Sequence, residues 1–216
     1  MAAYWLAIFN AAVSLIIFLL AYLFTKSSRA GLLSAFLFAV SFEAVQYATW
    51  LSNPTLGVIT VPLLYLGLWL WISPDQRGWG KKWGPLLTGA GLGLSVQAEI
   101  FLLYHGVVVA LWLWLARKNI NKTQVVSFVL ALLLSLSTMI ISEIKFGFKG
   151  LSGISYLFSA SDAIIGSKNF GDLIVLFFNQ IGKVFALSSY PSNVGYGAMF
   201  VFILGILAFI GWNKKK

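Results

Sequence analysis

Three carboxylates, Glu43, Glu99 and Glu143, stand inside or beside long apolar stretches. An ionisable side chain is costly there and normally faces protein or water. Glu43, Gln46, Tyr47 and Trp50 fall at i, i+3, i+4 and i+7, which sets them on one helix face leading to Asn53 in the following turn. Such a face can wall a cavity that hydrogen-bonds a hydrophilic ligand. It can equally supply the interhelical hydrogen bonds that hold a bundle together, and for Glu43 and Gln46 both readings stand. Gln97 and Glu99 flank Ala98 where the chain is expected to turn, and Glu143 follows a later apolar stretch. For Glu99 and Glu143 the cavity reading is preferred, because polar groups at turns are those a cavity can use.

The remaining chemistry-bearing residues are sparse. His105, beside Tyr104, is the only histidine, and a lone histidine among apolar residues reads as hydrogen-bonded packing rather than as a base. With no cysteine and no second histidine, the chain offers no thiol nucleophile, no disulfide and no metal site of the usual composition. Gly89 and Gly93 form a small-xxx-small pair suited to close helix packing. With Gly91 they follow no strand, so a phosphate-binding glycine loop is not expected. Asp162, Lys168 and Asp172 read as solvated loop charges, and Asn121-Lys122-Thr123 as a glycosylation sequon placed on the wrong side of a membrane to matter.

The elements that must position these residues are membrane helices. Of 216 residues, 60% are hydrophobic and 10% charged, and the mean hydropathy is +0.90. A soluble domain carries roughly a quarter charged residues. The charges cluster and leave apolar stretches of roughly 17–23 residues, the length that crosses a bilayer core as helix. The net charge of +9 comes mostly from short loops beside those stretches, as the positive-inside bias demands, so nucleic acid is not an expected partner.

Spans are expected at about 2–24, 30–51, 55–72, 123–141 and 197–212. The apolar run 85–116 is too long for one crossing and carries basic loops at both ends, so it should cross twice, turning near Gln97-Ala98-Glu99. Its first limb, about 13 residues from Pro85, would then be only some 20 Å long. Residues 173–187 suggest an interfacial or re-entrant helix. The fold expected is all-α: a polytopic transmembrane bundle of about seven spans, including a short half-helix hairpin and an outer interfacial helix. The loops at 25–29, 73–84, 117–122 and 213–216 lie on the cytoplasmic side, and the Ser52-Asn53-Pro54 turn, the Gln97–Glu99 turn and residues 142–196 on the outer side.

The order of features resembles the middle section of the GT-C type membrane glycosyltransferases, the superfamily of protein mannosyltransferases and lipid A aminoarabinose transferases. The resemblance begins at a span ending Tyr22-Leu23-Phe24 with a basic turn. It continues through Phe42-Glu43 and Gln46-Tyr47 to Trp50-Leu51-Ser52-Asn53-Pro54, an aromatic-x-x-Asn-Pro turn. A glycine-rich half-helix then ends Leu94-Ser95-Val96-Gln97-Ala98-Glu99, where relatives often carry Gln-x-His and Glu99 stands in place of the histidine. Ser142-Glu143-Ile144-Lys145-Phe146-Gly147-Phe148 is similar to the family's acidic-basic segment.

The resemblance implies transfer of a sugar from a polyprenyl-phosphate donor at the outer face of a cell membrane. A carboxylate of the first outer loop would activate the acceptor, often with a divalent metal. That loop would lie upstream of Met1. The expectation is therefore a single transmembrane domain over 1–216, a fragment of a longer protein and inactive alone. No catalytic residue is assigned. Glu43, Gln46, Asn53, Gln97, Glu99 and Glu143 are expected to line the cavity, with membrane lipids and a lipid-linked sugar as partners. The competing readings are a small transporter or flippase subunit, which an internal repeat would favour, and a scaffold in which the polar residues are only glue.

Overall fold

The computed structural model describes residues 2–48, 53–73, 78–153, 170–183 and 194–213. Among these residues every regular element is helical. Contacts divide the chain into two compact units, the first comprising Met1–Ala39 and Tyr47–Gly150, the second Val40–Gln46 and Leu151–Lys216.

In the first unit, α1 (Ala2–Thr25) runs to a turn at Lys26, a left-handed residue at φ 56°, and α2 (Ser28–Ala39) returns along it. After α4 (Asn53–Ile72), α5 (Trp79–Ala98) folds back against it. Glu99 is extended, at φ −152° and ψ 114°, and breaks the chain before a 3-10 turn (Ile100–Leu103) and α6 (Tyr104–Leu115). A second 3-10 turn (Arg117–Asn119) leads to α7 (Lys122–Lys145), which packs on the face of α5 away from α4. Residues 149–153 are again helical.

Burial in this unit runs opposite to hydropathy. Among the described residues three helices, α1, α4 and α7, are long and apolar enough to cross a membrane, yet α7 has no buried residue at all. Leu130, Leu134 and Ile141 on α7 are exposed, as are Leu111, Trp114 and Leu115 on α6. The most buried helix is α5, which carries the small and hydroxyl residues. That inversion is what a lipid solvent produces, since outward leucines cost nothing in hydrocarbon and small residues let backbones meet.

The glycines of α5 serve two faces. A Cβ on Gly91 would come within 2.7 Å of the Leu64 Cα of α4, and one on Gly84 within 2.6 Å of the Trp71 nitrogen. Gly89 and Gly93 instead face α7, against the Phe128 carbonyl and Ser135. The expected small-xxx-small pair therefore packs a helix interface. Buried hydroxyls on α5 satisfy themselves by bonding back one turn, Thr88 to the Gly84 carbonyl at 2.8 Å and Ser95 to the Gly91 carbonyl at 2.7 Å. Leu64, Leu68, Trp71, Leu92, Val96 and Val109 fill the space where α4, α5 and α6 meet.

In the second unit, α3 (Phe42–Tyr47) is a short helix whose N-terminus is capped by the buried Ser41 hydroxyl, accepting the Ala44 N–H at 3.3 Å. There α8 (Phe170–Lys183) packs on α9 (Val194–Asn213). Their crossing is tight enough that a side chain at Gly197 would strike the Phe178 carbonyl.

Several boundaries differ from those expected. The span placed at 30–51 ends at Ala39, because Ser41 starts a new helix; Thr49, Trp50, Leu51 and Ser52 lie outside the described residues. The half-helix expected from Pro85 starts six residues earlier, at Trp79, and its 20 residues span about 30 Å. Pro85 sits in an early turn of α5, where Lys81 ties the helix down by donating to the Trp71 carbonyl at 2.7 Å. The span expected to end at 141 continues to Lys145, so Ser142 and Glu143 are helical. The interfacial segment expected at 173–187 is helical over Phe170–Lys183 and has an apolar and a polar side, with Asp172 in its first turn.

Candidate functional site

Charged groups of the first unit lie towards the two ends of its helices. At one end lie the basic turns at 26–29 and 117–119 with Lys81, Lys82 and Lys122, together with a knot that joins three helices, whereas Lys145 and Lys149 lie at the far end of α7. Gln124 of α7 accepts the Trp71 indole N–H at 3.3 Å and donates to the Lys81 carbonyl at 3.4 Å. Asn121 and Gln124 form a reciprocal capping box, with bonds of 2.8 and 3.1 Å, that starts α7. Phe24 packs against Trp69 with tilted rings and centroids 4.1 Å apart, so the basic turn after α1 joins this end as well.

At the other end, the last turn of α5 meets the first turns of α4. Ser95 has one hydroxyl hydrogen and gives it to Gly91, so the 2.8 Å contact with Thr60 is donated by Thr60. Gln97 is exposed and its amide donates to the Thr138 hydroxyl on α7. A cavity of about 400 Å³ lies here, lined by Leu56, Thr60, Leu94, Gln97 and Ala98.

A second cavity, about 380 Å³, opens on the other side of α4. Glu99, Tyr104 and His105 line it, with Phe38 of α2 and Gly57, Val58, Val61 and Pro62 of α4. Glu99 is half-buried. The extended backbone at Glu99 ends α5 one residue before the carboxylate, and this places the group at the cavity rather than on the helix flank. Pro62 has no N–H, so the Val58 carbonyl lacks its helical donor, and both residues belong to the wall. His105 is 6% exposed, and its Nδ1 is 2.8 Å from the Tyr65 hydroxyl. The Tyr65 ring meets the imidazole edge-on, with centroids 5.5 Å apart. Nδ1 is thus committed to Tyr65, and Nε2 is the nitrogen left for a ligand.

Of the six residues expected to line a cavity, Gln97 and Glu99 do so, on separate cavities at one end of α5. Glu143 is half-buried in the last turn of α7, its carboxylate packed against Gly150 where the left-handed Gly147 and Phe148 turn the chain back. Gln46 is an exposed residue of α3, in the second unit. Glu43 is on α3 and Asn53 begins α4, but their side chains lie outside the described residues. Asp162 and Lys168 lie outside them altogether.

Sequence reasoning missed Tyr65, Thr60, Thr138 and Gln124. Only Gln124 had a readable signal, an N-cap asparagine three residues before a glutamine. Asn121 is a helix cap, which the sequon reading had obscured.

The divalent metal implied by the resemblance finds no cradle among the described residues, where no three His, Cys, Asp or Glu side chains gather. Glu99 and His105 share a cavity without a third ligand of that kind. A carboxylate, a buried imidazole and the exposed Tyr104 ring are instead suited to a hydroxyl-rich ligand, which donates to the carboxylate and lies against the ring. No family model matches the chain, and no curated protein or solved structure matches it either.

Proposed function

We propose that this chain is a multi-pass membrane protein that binds a hydroxyl-rich headgroup at the end of the bundle opposite its basic turns. The particular reading is a bundle of the GT-C type, in which the headgroup is the sugar of a polyprenyl-phosphate donor. The observation that carries it is the half-buried Glu99 at the helix break, sharing a cavity with the Tyr65-supported His105. Wall residues of α4 and α2 are apolar, which suits a ligand whose tail stays in lipid. Gln97 and Glu143 are further candidates on the same reading. Should the site take part in transfer, Glu99 is the group able to accept a hydroxyl proton.

The test is binding of a polyprenyl-phosphate sugar to the full chain in lipid nanodiscs, followed by sugar transfer in proteoliposomes. Glu99→Gln is expected to weaken donor binding about tenfold, the cost of one charge-assisted hydrogen bond. Glu143→Gln is the companion variant. If Glu99→Gln and Glu143→Gln both retained donor binding and transfer, the cavity assignment would be wrong. Movement of the headgroup across the vesicle wall without transfer would favour the transporter reading instead.

A further inference from the structure

A third cavity lies at the end of the basic turns, between α6 and α7, and shares no lining residue with the Glu99 cavity. Its volume is about 500 Å³. Arg117, Asn121 and Lys122 form its polar rim, and Leu113, Val125 and Val126 are among its apolar walls. The rim is held by local structure. The Asn121–Gln124 capping box fixes the start of α7, and the Asn119 N–H closes the 3-10 turn on the Ala116 carbonyl at 2.9 Å. The Arg117 guanidinium sits 5.0 Å from the centroid of the exposed Trp114 ring, which steadies its stem.

No carboxylate among the described residues lines this cavity, and the sequence has no Asp or Glu between Glu99 and Glu143. Below the rim, Val126, Leu130 and Leu115 are exposed, so the cavity opens onto the same apolar surface that lipid would cover. Asn121 spends its side-chain oxygen on the Gln124 N–H, so it can offer an anion only its amide N–H groups, beside the two cations.

We infer that this groove is a binding site for an anionic phospholipid of the leaflet on the basic side, its phosphate between Arg117 and Lys122 and its acyl chain along Leu113, Val125 and Val126. Charge complementarity selects an anion. The apolar walls running out to the lipid-facing surface select a lipid over free phosphate. Two cations near a membrane surface supply a preference on the order of tenfold for an anionic over a zwitterionic headgroup. The inference rests on the membrane reading but is independent of the sugar site.

The experiment uses the full chain, delipidated in neutral detergent and titrated with phosphatidylglycerol, phosphatidylcholine or inorganic phosphate, with bound lipid counted by native mass spectrometry. Phosphatidylglycerol is expected to bind about tenfold more tightly than phosphatidylcholine. The preference should vanish in Arg117→Gln/Lys122→Gln and persist in Lys118→Gln, whose side chain lies outside the groove. Val126→Trp keeps both charges and fills the apolar wall, so it should weaken phosphatidylglycerol binding if the acyl chain lies there. Equal binding of the two lipids, a preference surviving in the double variant, or displacement of the lipid by millimolar inorganic phosphate would each overturn the inference. Flotation with liposomes separates the two failures. A chain that does not float refutes the membrane reading and the lipid site together, whereas one that floats without lipid preference refutes the site alone.

Discussion

Tyr65 is the residue on which the Glu99 cavity depends most directly, although it lies one helix away from the carboxylate. Its hydroxyl is the partner of a buried imidazole nitrogen. In Tyr65→Phe that nitrogen would be left buried and unpaired, which costs about 1–3 kcal/mol. Thermal unfolding in detergent should register a destabilisation of that size, and adding His105→Phe should recover part of it by removing the orphaned group. If the double variant were as unstable as the sum of the singles, the two side chains would not be coupled as the geometry requires. The sequence showed His105 as packing and Tyr104 as its neighbour. It could not show Tyr65, because a partner 40 residues away is set by how α4 and α6 meet.

At the scale of elements, the decisive feature is the backbone contact that α5 makes on two faces. Gly91→Ala would drive a methyl group into the Leu64 backbone, and α4 and α5 would have to separate. A loss of about 1–3 kcal/mol is expected, as for other overpacked positions. Gly106 on α6 is the control. A Cβ there meets side-chain atoms only at 3.9 and 4.0 Å, so Gly106→Ala should be neutral or slightly stabilising through helix propensity. Equal losses at the two positions, measured by the same unfolding assay, would contradict the interface described. Much of the helical order was legible. Apolar length located α1, α4 and α9 to within a few residues of their observed bounds. The start of α5 was not legible, because Trp79, Lys81, Lys82 and Trp83 look like an interfacial loop. They are helical because the Lys81 ammonium reaches the carbonyl end of α4, where a cation is favoured. The break after Ala39 escaped for a similar reason: the apolar run continues through it, and only the buried Ser41 cap starts the next helix.

For the whole molecule, the position of the basic turns at 26–29 and 117–119 opposite Gln97 in the first unit makes a direct topological prediction. The chain has no cysteine, so single cysteines can be introduced without a background. On the membrane reading, Lys118→Cys and Gln97→Cys should be modified by an impermeant maleimide from opposite sides of a sealed vesicle. Labelling of both from one side would be incompatible with the basic turns and Gln97 occupying opposite faces. The inverted burial of α5 also bears on how the protein is made. Among the described residues, the helices apolar enough to cross unaided include α4 and α7 but not the one packed between them. As the ribosome extends the chain, α5 emerges before α7, and at that moment only half of its glycine-lined surface has a mate. A nascent chain stopped short of Lys122 should therefore leave α5 poorly inserted, and one carried past Lys145 should release it into the bilayer together with α4 and α7. The insertion machinery would be handling a cluster of segments, with α5 held back until its last neighbour has been synthesised.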